Sequence, residues 1–298
     1  MSRYVTVAGV SGLEPPPDRL LDEAAHYVWR AARMGADIVA FPEFYPLTGL
    51  SQQHWTAAAE EIPGATVTRM AEVAAANHCY VVWPLLERRG DKLYNTAVLI
   101  DRQGQVAGSY RKMYLTIGEM EMGIYPGTEA TVLETDFGKI GMAICFDMNW
   151  RPVWEGLAEN GAEIVFFCSM YRGSRQMQAW AFEFGYYLVS AVGSDLGQIV
   201  DQTGQVLKIS HQDKVITHEL NLNRRLLHMD FNWDKIDLML EKYGSDLTFD
   251  FTAPEARFAV GCRRQGLTID EIIQEFGLET LPQYWARVLK MRAERLAE

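Results

Sequence analysis

The sequence predicts an α/β fold, and three observations carry that prediction. Short apolar runs of strand length alternate with longer segments whose apolar residues recur at helical spacing. Pairs of strands are joined by turns built on Asp and Gly. Chemically capable side chains stand directly after several of the apolar runs, as they do where strands of an α/β sheet end. The chain has 298 residues and no low-complexity break, which fits one large α/β domain or two small ones.

The elements follow in order. Residues 4–10 read as a buried strand. Pro15, Pro16 and Pro17 stop it, and Asp18 is placed to cap the helix that follows. Leu20, Leu21, Ala24, Ala25, Val28, Ala31 and Ala32 mark that helix through Met34, and Gly35 ends it. Residues 37–41 form a second buried strand closed by Pro42. Residues 65–77 read as a helix and 79–87 as a strand. Residues 94–100 and 105–110 flank the turn Asp101-Arg102-Gln103-Gly104 and make a hairpin. Strands over 131–134 and 139–144 flank a second turn at Asp136-Phe137-Gly138. Then come a helix over 150–160, a strand over 163–168, a helix over 175–184, and strands over 188–192, 198–200, 205–209 and 215–220. Ile100-Asp101-Arg102-Gln103-Gly104-Gln105-Val106 is echoed by Val200-Asp201-Gln202-Thr203-Gly204-Gln205-Val206. Either both are instances of a common turn, or the fold has two similar halves.

From Asn221 the character changes. Short helices are expected to alternate with loops there, ending in an amphipathic helix over 281–296 with Pro282 in its first turn. The domain organisation predicted is a catalytic domain over residues 1–220 and an extension over 221–298 that packs on the same domain or on a partner subunit.

Composition excludes several classes. Hydrophobic residues make up 48% and charged residues 22%, as in a globular protein. The formal net charge of −11 argues against a nucleic-acid binder, which needs clustered Lys and Arg to neutralise phosphate. The start MSRYVTVAGV has neither the basic region nor the apolar stretch of a signal peptide, and no apolar run is long enough to span a bilayer. The four cysteines, Cys79, Cys145, Cys168 and Cys262, form no CxxC pair, so no disulfide framework is expected and the cytoplasm is the expected compartment.

Three segments share one grammar, an apolar strand followed by a reactive side chain: Ile38-Val39-Ala40-Phe41-Pro42-Glu43, Ser109-Tyr110-Arg111-Lys112, and Ile140-Gly141-Met142-Ala143-Ile144-Cys145-Phe146-Asp147. Each residue alone is ordinary, but together they are complementary. Amide cleavage needs a nucleophile, a base that takes its proton, and positive charge for the oxyanion. Cys145, Glu43 and Lys112 supply these in turn, with the backbone N–H of Phe146 as a second oxyanion donor. This chemistry requires no metal and no cofactor. The six histidines form no HxxxH or HxH cluster, and none sits at a strand end as clearly as Glu43 does.

FPEF at residues 41–44, YRKMYL at 110–115 and GMAICFDMNWRPVW at 141–154 resemble the three signature blocks of the nitrilase, or carbon–nitrogen hydrolase, superfamily, in the right order and at similar separation, over the stretch from the first strand to about Leu220. The resemblance implies a four-layer α-β-β-α sandwich and a Glu–Lys–Cys triad at Glu43, Lys112 and Cys145. It also implies association of sandwiches into a homodimer or higher homo-oligomer. Many members carry a second glutamate between the lysine and cysteine blocks. Glu119 and Glu121 both qualify, and the run Glu121-Met122-Gly123-Ile124-Tyr125-Pro126-Gly127 resembles a stretch of aliphatic amidases that favours Glu121.

The residues after the cysteine narrow the expected branch. Nitrilases usually read Cys-Trp-Glu, whereas this chain reads Cys145-Phe146-Asp147, closer to amidases and carbamoyl hydrolases. D-amino-acid carbamoylases carry an arginine pair where Met148-Asn149 stand here. Asn149, Trp150, Tyr45, Tyr171 and Phe146 are candidates for the substrate pocket, and Arg172 or Arg175 for a two-pronged contact with a substrate carboxylate. The expectation is hydrolysis of a small amide through a thioester. An N-carbamoyl amine or amino acid comes second as substrate and a nitrile third, and a catalytically silent scaffold of the same fold is the rival from another class.

Overall fold

The computed structural model describes residues 3–12, 17–251 and 256–298. Of the proline run, Pro15 and Pro16 lie outside the described residues. The chain divides into two compact units. One is Val5–Leu220; the other is Asn221–Glu298 together with the amino-terminal residues through Tyr4.

The larger unit is built from strands and helices in the order β1 (Tyr4–Val10), α1 (Leu20–Arg33), β2 (Ile38–Ala40), α2 (Ala65–Asn77), β3 (Tyr80–Arg89), β4 (Lys92–Ile100), β5 (Val106–Arg111), α3 (Ile117–Glu121), β6 (Val132–Glu134), β7 (Lys139–Ile144), α4 (Arg151–Glu159), β8 (Ile164–Ser169), α5 (Ser174–Phe184), β9 (Tyr187–Val192), β10 (Gln198–Val200), β11 (Val206–Ile209) and β12 (Val215–Asn221). Two six-stranded sheets result, ordered β12-β1-β2-β3-β4-β5 and β11-β10-β9-β8-β7-β6. In the first, β1, β2 and β3 run parallel, and β4 and β5 return antiparallel. In the second, β7, β8 and β9 are parallel, and β10 and β11 return antiparallel. The order of elements is therefore the same in both halves. The echo in the sequence falls at matching places: Asp101 joins β4 to β5, and Asp201 joins β10 to β11. Each Oδ1 accepts the N–H of the residue two and four positions on, which fixes the turn.

The layers follow from the alternation of side chains along the strands. On the outer face of the first sheet, Ala8, Val10, Val39 and Val81 pack with Ala24 and Val28 of α1 and with Val67 and Met70 of α2. On the outer face of the second, Ala143, Val165, Phe167 and Leu188 pack with Val153 and Leu157 of α4 and with Met177 and Ala181 of α5. The inner faces meet each other. They approach so closely that a Cβ on Gly9 of β1 would lie 2.4 Å from the carbonyl oxygen of Ser190 on β9. The expected α-β-β-α sandwich is what the chain forms. Among the described residues, no helix is long and apolar enough to cross a membrane.

Two local expectations are corrected. Asp18 does not cap α1, because Pro17–Arg19 forms its own 3-10 turn and Arg19 occupies the N-cap without a side-chain bond. The second unit also carries strands where helices and loops were expected: β13 (Arg224–His228), β14 (Leu247–Asp250) and β15 (Arg257–Cys262), an antiparallel sheet ordered β13-β15-β14. With them come α6 (Ile236–Tyr243), α7 (Ile269–Phe276) and the final helix α8 (Leu281–Ala297). The strand β13 reads Arg-Arg-Leu-Leu-His, too charged and short to show a period of two.

Candidate active site

Cys145 follows β7 at the first position of a short 3-10 turn, with φ 45°, in the left-handed region that costs a non-glycine residue strain. Asp147 holds that turn. Its Oδ2 accepts the N–H of Ile144 at 2.9 Å and the hydroxyl of Tyr110 at 2.7 Å, while Oδ1 accepts the N–H of Tyr114 at 2.9 Å. Tyr110 lies on β5 and Ile144 on β7, so this carboxylate ties the two sheets together directly under the thiol. Burial pushes the Asp147 carboxyl up to about 6, against the pull of those three hydrogen bonds.

Glu43, Lys112 and Glu119 form one buried cluster, only 4%, 1% and 6% exposed. Glu43 comes three residues after β2, and Lys112 directly after β5. Lys112 Nζ donates to Glu43 Oε1 at 2.9 Å and to Glu119 Oε1 and Oε2 at 2.9 and 2.8 Å. Asn95 of β4 donates from Nδ2 to the same Oε1 of Glu43 at 2.8 Å and to Glu119 Oε1 at 2.7 Å. The second oxygen of Glu43, Oε2, faces the N–H of Met170 at 3.3 Å. Glu43 and Ser169, the last residue of β8, both act on the Cys145 thiol.

The electrostatics follow from this packing. Burial and then the Glu43 carboxylate push the thiol up to about 12, while Lys112 and the Ser169 hydroxyl pull it down. The resting sulfur is therefore neutral and cannot attack without giving up its proton. Burial pulls the Lys112 ammonium down, but Glu43, Glu119 and Cys145 outweigh it, and the ammonium is held above its ordinary value. Burial pushes Glu119 up, and Lys112, the Thr116 N–H and Asn95 together bring it below its ordinary value. The cluster thus presents a neutral thiol, the Glu43 carboxyl group, and a permanent cation.

The second glutamate beside Lys112 is Glu119, not the favoured Glu121, whose side chain is exposed to solvent. The reason is the short helix α3. Thr116 and Glu119 form a capping box in which Glu119 Oε2 accepts the Thr116 N–H at 2.8 Å and its hydroxyl at 2.9 Å, and this turns the carboxylate inward. The pattern Thr-x-x-Glu is legible in the sequence and could have decided between the two. Ser169 and Asn95 were missed because an Asn or Ser within a strand carries no such pattern.

The other candidates divide. Phe146 is half-buried beside Cys145. Its N–H, in the first turn, has no acceptor within its own helix. Trp150 stacks on Tyr114 with centroids 4.6 Å apart and meets Phe146 edge to face, so the three rings form one wall next to the Cys145 turn. Asn149 is exposed and donates to the carbonyl of Phe146 at 3.3 Å, closing the turn. Tyr45 does not join the site. It packs edge-on against Phe41 and Trp83 in the core beneath α1 and α2, because its position two residues past Glu43 points it to the outer face. Tyr171 is 76% exposed, and its N–H is held by Ser169 Oγ. Arg172 pairs with Asp195 at 3.7 Å, both on the surface. A separate surface cavity of about 610 Å³, lined by Met113, Val132, Pro152 and Asn160 among others, contains none of the cluster.

A thiol, two carboxyl groups and an ammonium are thus gathered where strands of the two sheets end. Residues 6–225 match the carbon-nitrogen hydrolase family, and the chain belongs to it. Nitrilase 1 of Arabidopsis thaliana is 32% identical over 212 residues, which cover 63% of this chain and 60% of that protein. Beta-ureidopropionase of the same plant is 33% identical over 139 residues, covering 44% of this chain and 34% of its own. The chain thus spans about 60% of the length of the first of these curated relatives. Among solved structures, an amidase from Nesterenkonia sp. superposes with a TM-score of 0.67 at 22% identity, covering 81% of this chain and 97% of the amidase. Saccharomyces cerevisiae Nit3, a member of branch 10 of the nitrilase superfamily, gives 0.65 at 21% identity, covering 73% and 90%. At this identity the likeness is one of fold.

Proposed function

We propose that the chain hydrolyses the carbon–nitrogen bond of a small primary amide through a thioester on Cys145. The observation that carries this reading is the buried cluster itself, in which Lys112 is held between Glu43 and Glu119 with the Cys145 thiol within reach of their charges. Because the thiol is held neutral, Glu43 takes its proton as the sulfur attacks the carbonyl carbon. The tetrahedral oxyanion is met by Lys112 and by the Phe146 N–H. Lys112 has three protons, and two of its bonds go to the same carboxylate, so one contact with Glu119 is released to the oxyanion without unpairing either residue. Glu43 returns the proton to the leaving nitrogen as the C–N bond breaks, and ammonia departs. Glu43 then takes a proton from water, the hydroxide attacks the thioester carbon, and the C–S bond breaks as the sulfur regains that proton. The products are a carboxylic acid and ammonia.

A nitrile is the second reading, favoured by identity to plant nitrilases such as the 32% match to nitrilase 1 of A. thaliana. A ureide is the third, since beta-ureidopropionase is also a relative. The aromatic wall of Tyr114, Phe146 and Trp150 offers any of these an apolar surface with few donors. We place the second unit as a packing extension and the working form as a homodimer. The test is ammonia release from primary amides, N-carbamoyl compounds and nitriles, run beside Cys145→Ala. Release from amides, lost in the variant, supports the reading. Carbon dioxide released with ammonia selects the ureide, and release from nitriles alone selects the nitrile. No Cys145-dependent release from any class, with amine-leaving amides also inert, makes the chain a silent scaffold.

A further inference from the structure

The mechanism above uses a thiol, two carboxylates and an ammonium, and it leaves Asn95 unused. Yet Asn95 is completely buried and makes more bonds to the cluster than to anything else. It lies on β4, opposite Leu86 of β3, and its carbonyl accepts the N–H of Lys112 at 2.8 Å, so backbone pairing fixes both residues side by side. Its amide nitrogen carries two protons, and each goes to a different carboxylate: Glu43 Oε1 at 2.8 Å and Glu119 Oε1 at 2.7 Å. The amide orientation is chemically fixed, since the reverse would set its oxygen against two carboxylate oxygens. Among the described residues no donor reaches its Oδ1, so the contribution of the side chain is donation alone.

Two consequences follow. Glu43 Oε1 already accepts from Lys112 and from Asn95, so its near lone pairs are occupied and Oε2 is the oxygen left for the thiol proton. And two carboxylates share one ammonium, all three of them buried. The charged and titratable groups facing them are Lys112 from the end of β5, Cys145 from the nucleophile turn, and Cys168 of β8, which lies within the field of Glu43. Asp147 senses the same lysine from the other sheet. Lys112 balances one negative charge, and the other is met by neutral donors: the two protons of Asn95 bridge both carboxylates, while the Thr116 N–H and hydroxyl reach only Glu119 and the Met170 N–H only Glu43.

We propose that Asn95 is a positioning residue: it locks Glu43 Oε1 and Glu119 Oε1 in one fork around Lys112, so that Glu43 presents only Oε2 to Cys145. The proposal rests on the acid–base role given to Glu43 above. Its assay is chosen to stand apart from turnover.

The experiment compares wild type with Asn95→Leu, an apolar side chain of similar size, and with Asn95→Asp, which keeps the shape but replaces the donor nitrogen. Protein labelled with 13C at the glutamate carboxyl is titrated by NMR, with Glu43 and Glu119 assigned from Glu43→Gln and Glu119→Gln spectra. Losing donors to a charged carboxylate raises its proton affinity. In both Asn95 variants the first protonation of the pair should therefore move to higher pH by about one unit or more. The acid limb of the kcat profile for propionamide should move with it, with kcat falling about 10- to 100-fold and KM changing far less. A side chain that serves packing alone would lower thermal stability and leave the carboxyl titration in place, and that result overturns the proposal. Absence of Cys145-dependent turnover in wild type would remove the proposed function, while the carboxyl titration would still decide the role of Asn95.

Discussion

Lys112→Met is the substitution whose outcome the cluster constrains most tightly. Methionine keeps the unbranched length of the side chain and removes only the charge and the donors. Lost are the bonds to Glu43 Oε1 at 2.9 Å and to Glu119 at 2.9 and 2.8 Å. Water cannot replace them, since both carboxylates are nearly inaccessible. Removing one partner of a buried ion pair costs roughly 3–5 kcal/mol, because a charge is left without compensation. The cost has a ceiling, however: a carboxylate can escape it by taking up a proton. In wild type, Glu119 is held below its ordinary value by Lys112, Thr116 and Asn95 against the effect of burial. A group of that sign adds stability above its unfolded pKa and loses it as the pH falls through the folded one. Without Lys112 the sign reverses. The pair then holds a proton that the unfolded chain releases, and stability falls as the pH rises, by at most about 1.4 kcal/mol per pH unit for each such carboxylate. Urea unfolding followed by tryptophan fluorescence at several pH values from about 5 to about 8 measures this. The deficit of the variant should be small at the acid end and grow toward its ceiling at the alkaline end. A deficit that stays constant across that range would mean that the carboxylates are not buried against this lysine, and the reasoning would fail.

Three further outcomes are expected. Glu119→Gln should lower kcat about 100-fold or more, because it removes the charge that holds Lys112, whereas Glu121→Gln should change it less than about 2-fold; steady-state kinetics on one amide distinguishes them. Asp147→Asn keeps one acceptor oxygen and turns an amino group toward N–H donors, a loss of about 1–3 kcal/mol in unfolding free energy. Because burial lifts the Asp147 carboxyl to about 6 in the folded chain, its own contribution is present below its unfolded value and is lost as the pH rises through about 6. The deficit of the variant should therefore be largest near the acid end of that window and shrink across it. Gly9→Ala places a methyl group 2.4 Å from the Ser190 carbonyl oxygen and should destabilise by roughly 1–3 kcal/mol, read as a lower urea midpoint, since two sheets rather than one side chain must yield.

Legibility in the sequence followed burial and periodicity. The strands β7 and β10 and the helix α2 lie where the pattern puts them, because each is an apolar run bounded by a turn or a cap. The strands of the second unit were not legible: β13 has only Leu226 and Leu227 to bury, flanked by Arg224, Arg225 and His228. At the site, Glu43, Lys112 and Cys145 stood out because each reactive side chain directly followed a hydrophobic strand. Asn95 sits inside β4, where a polar residue leaves no periodic trace, and only the approach of β5 and α3 shows what it holds. Glu121 was preferred to Glu119 on resemblance of the following loop, when the local physics of the capping box at Thr116 already chose Glu119. Tyr45 was misplaced because residues close in sequence to Glu43 need not face the same side.

The two halves of the fold also explain why, among the described residues, such a cluster forms at one set of strand ends and not at the matching set. Their strand orders match, so the ends of β1, β8 and β11 correspond to those of β7, β2 and β5. Where Cys145 follows β7, Ser11 follows β1. Where Lys112 follows β5, Ser210 follows β11. Near the end of β8, in the place that Glu43 holds after β2, stand Ser169 and Met170, which serve the cluster itself: the Met170 N–H donates to Glu43 Oε2 at 3.3 Å. The hydroxyls of Ser11 and Ser210 bind backbone: Ser11 Oγ accepts the N–H of Val192 at 3.4 Å, and Ser210 Oγ accepts the N–H of Gly197 at 2.7 Å. A Cβ on Gly197 would come within 2.2 Å of Ser11 Oγ, so the backbone packs directly against that hydroxyl. An ammonium and two carboxylates need one another to be buried. The hydroxyls of Ser11 and Ser210 need no such partners, and each is satisfied by a single backbone N–H between neighbouring segments.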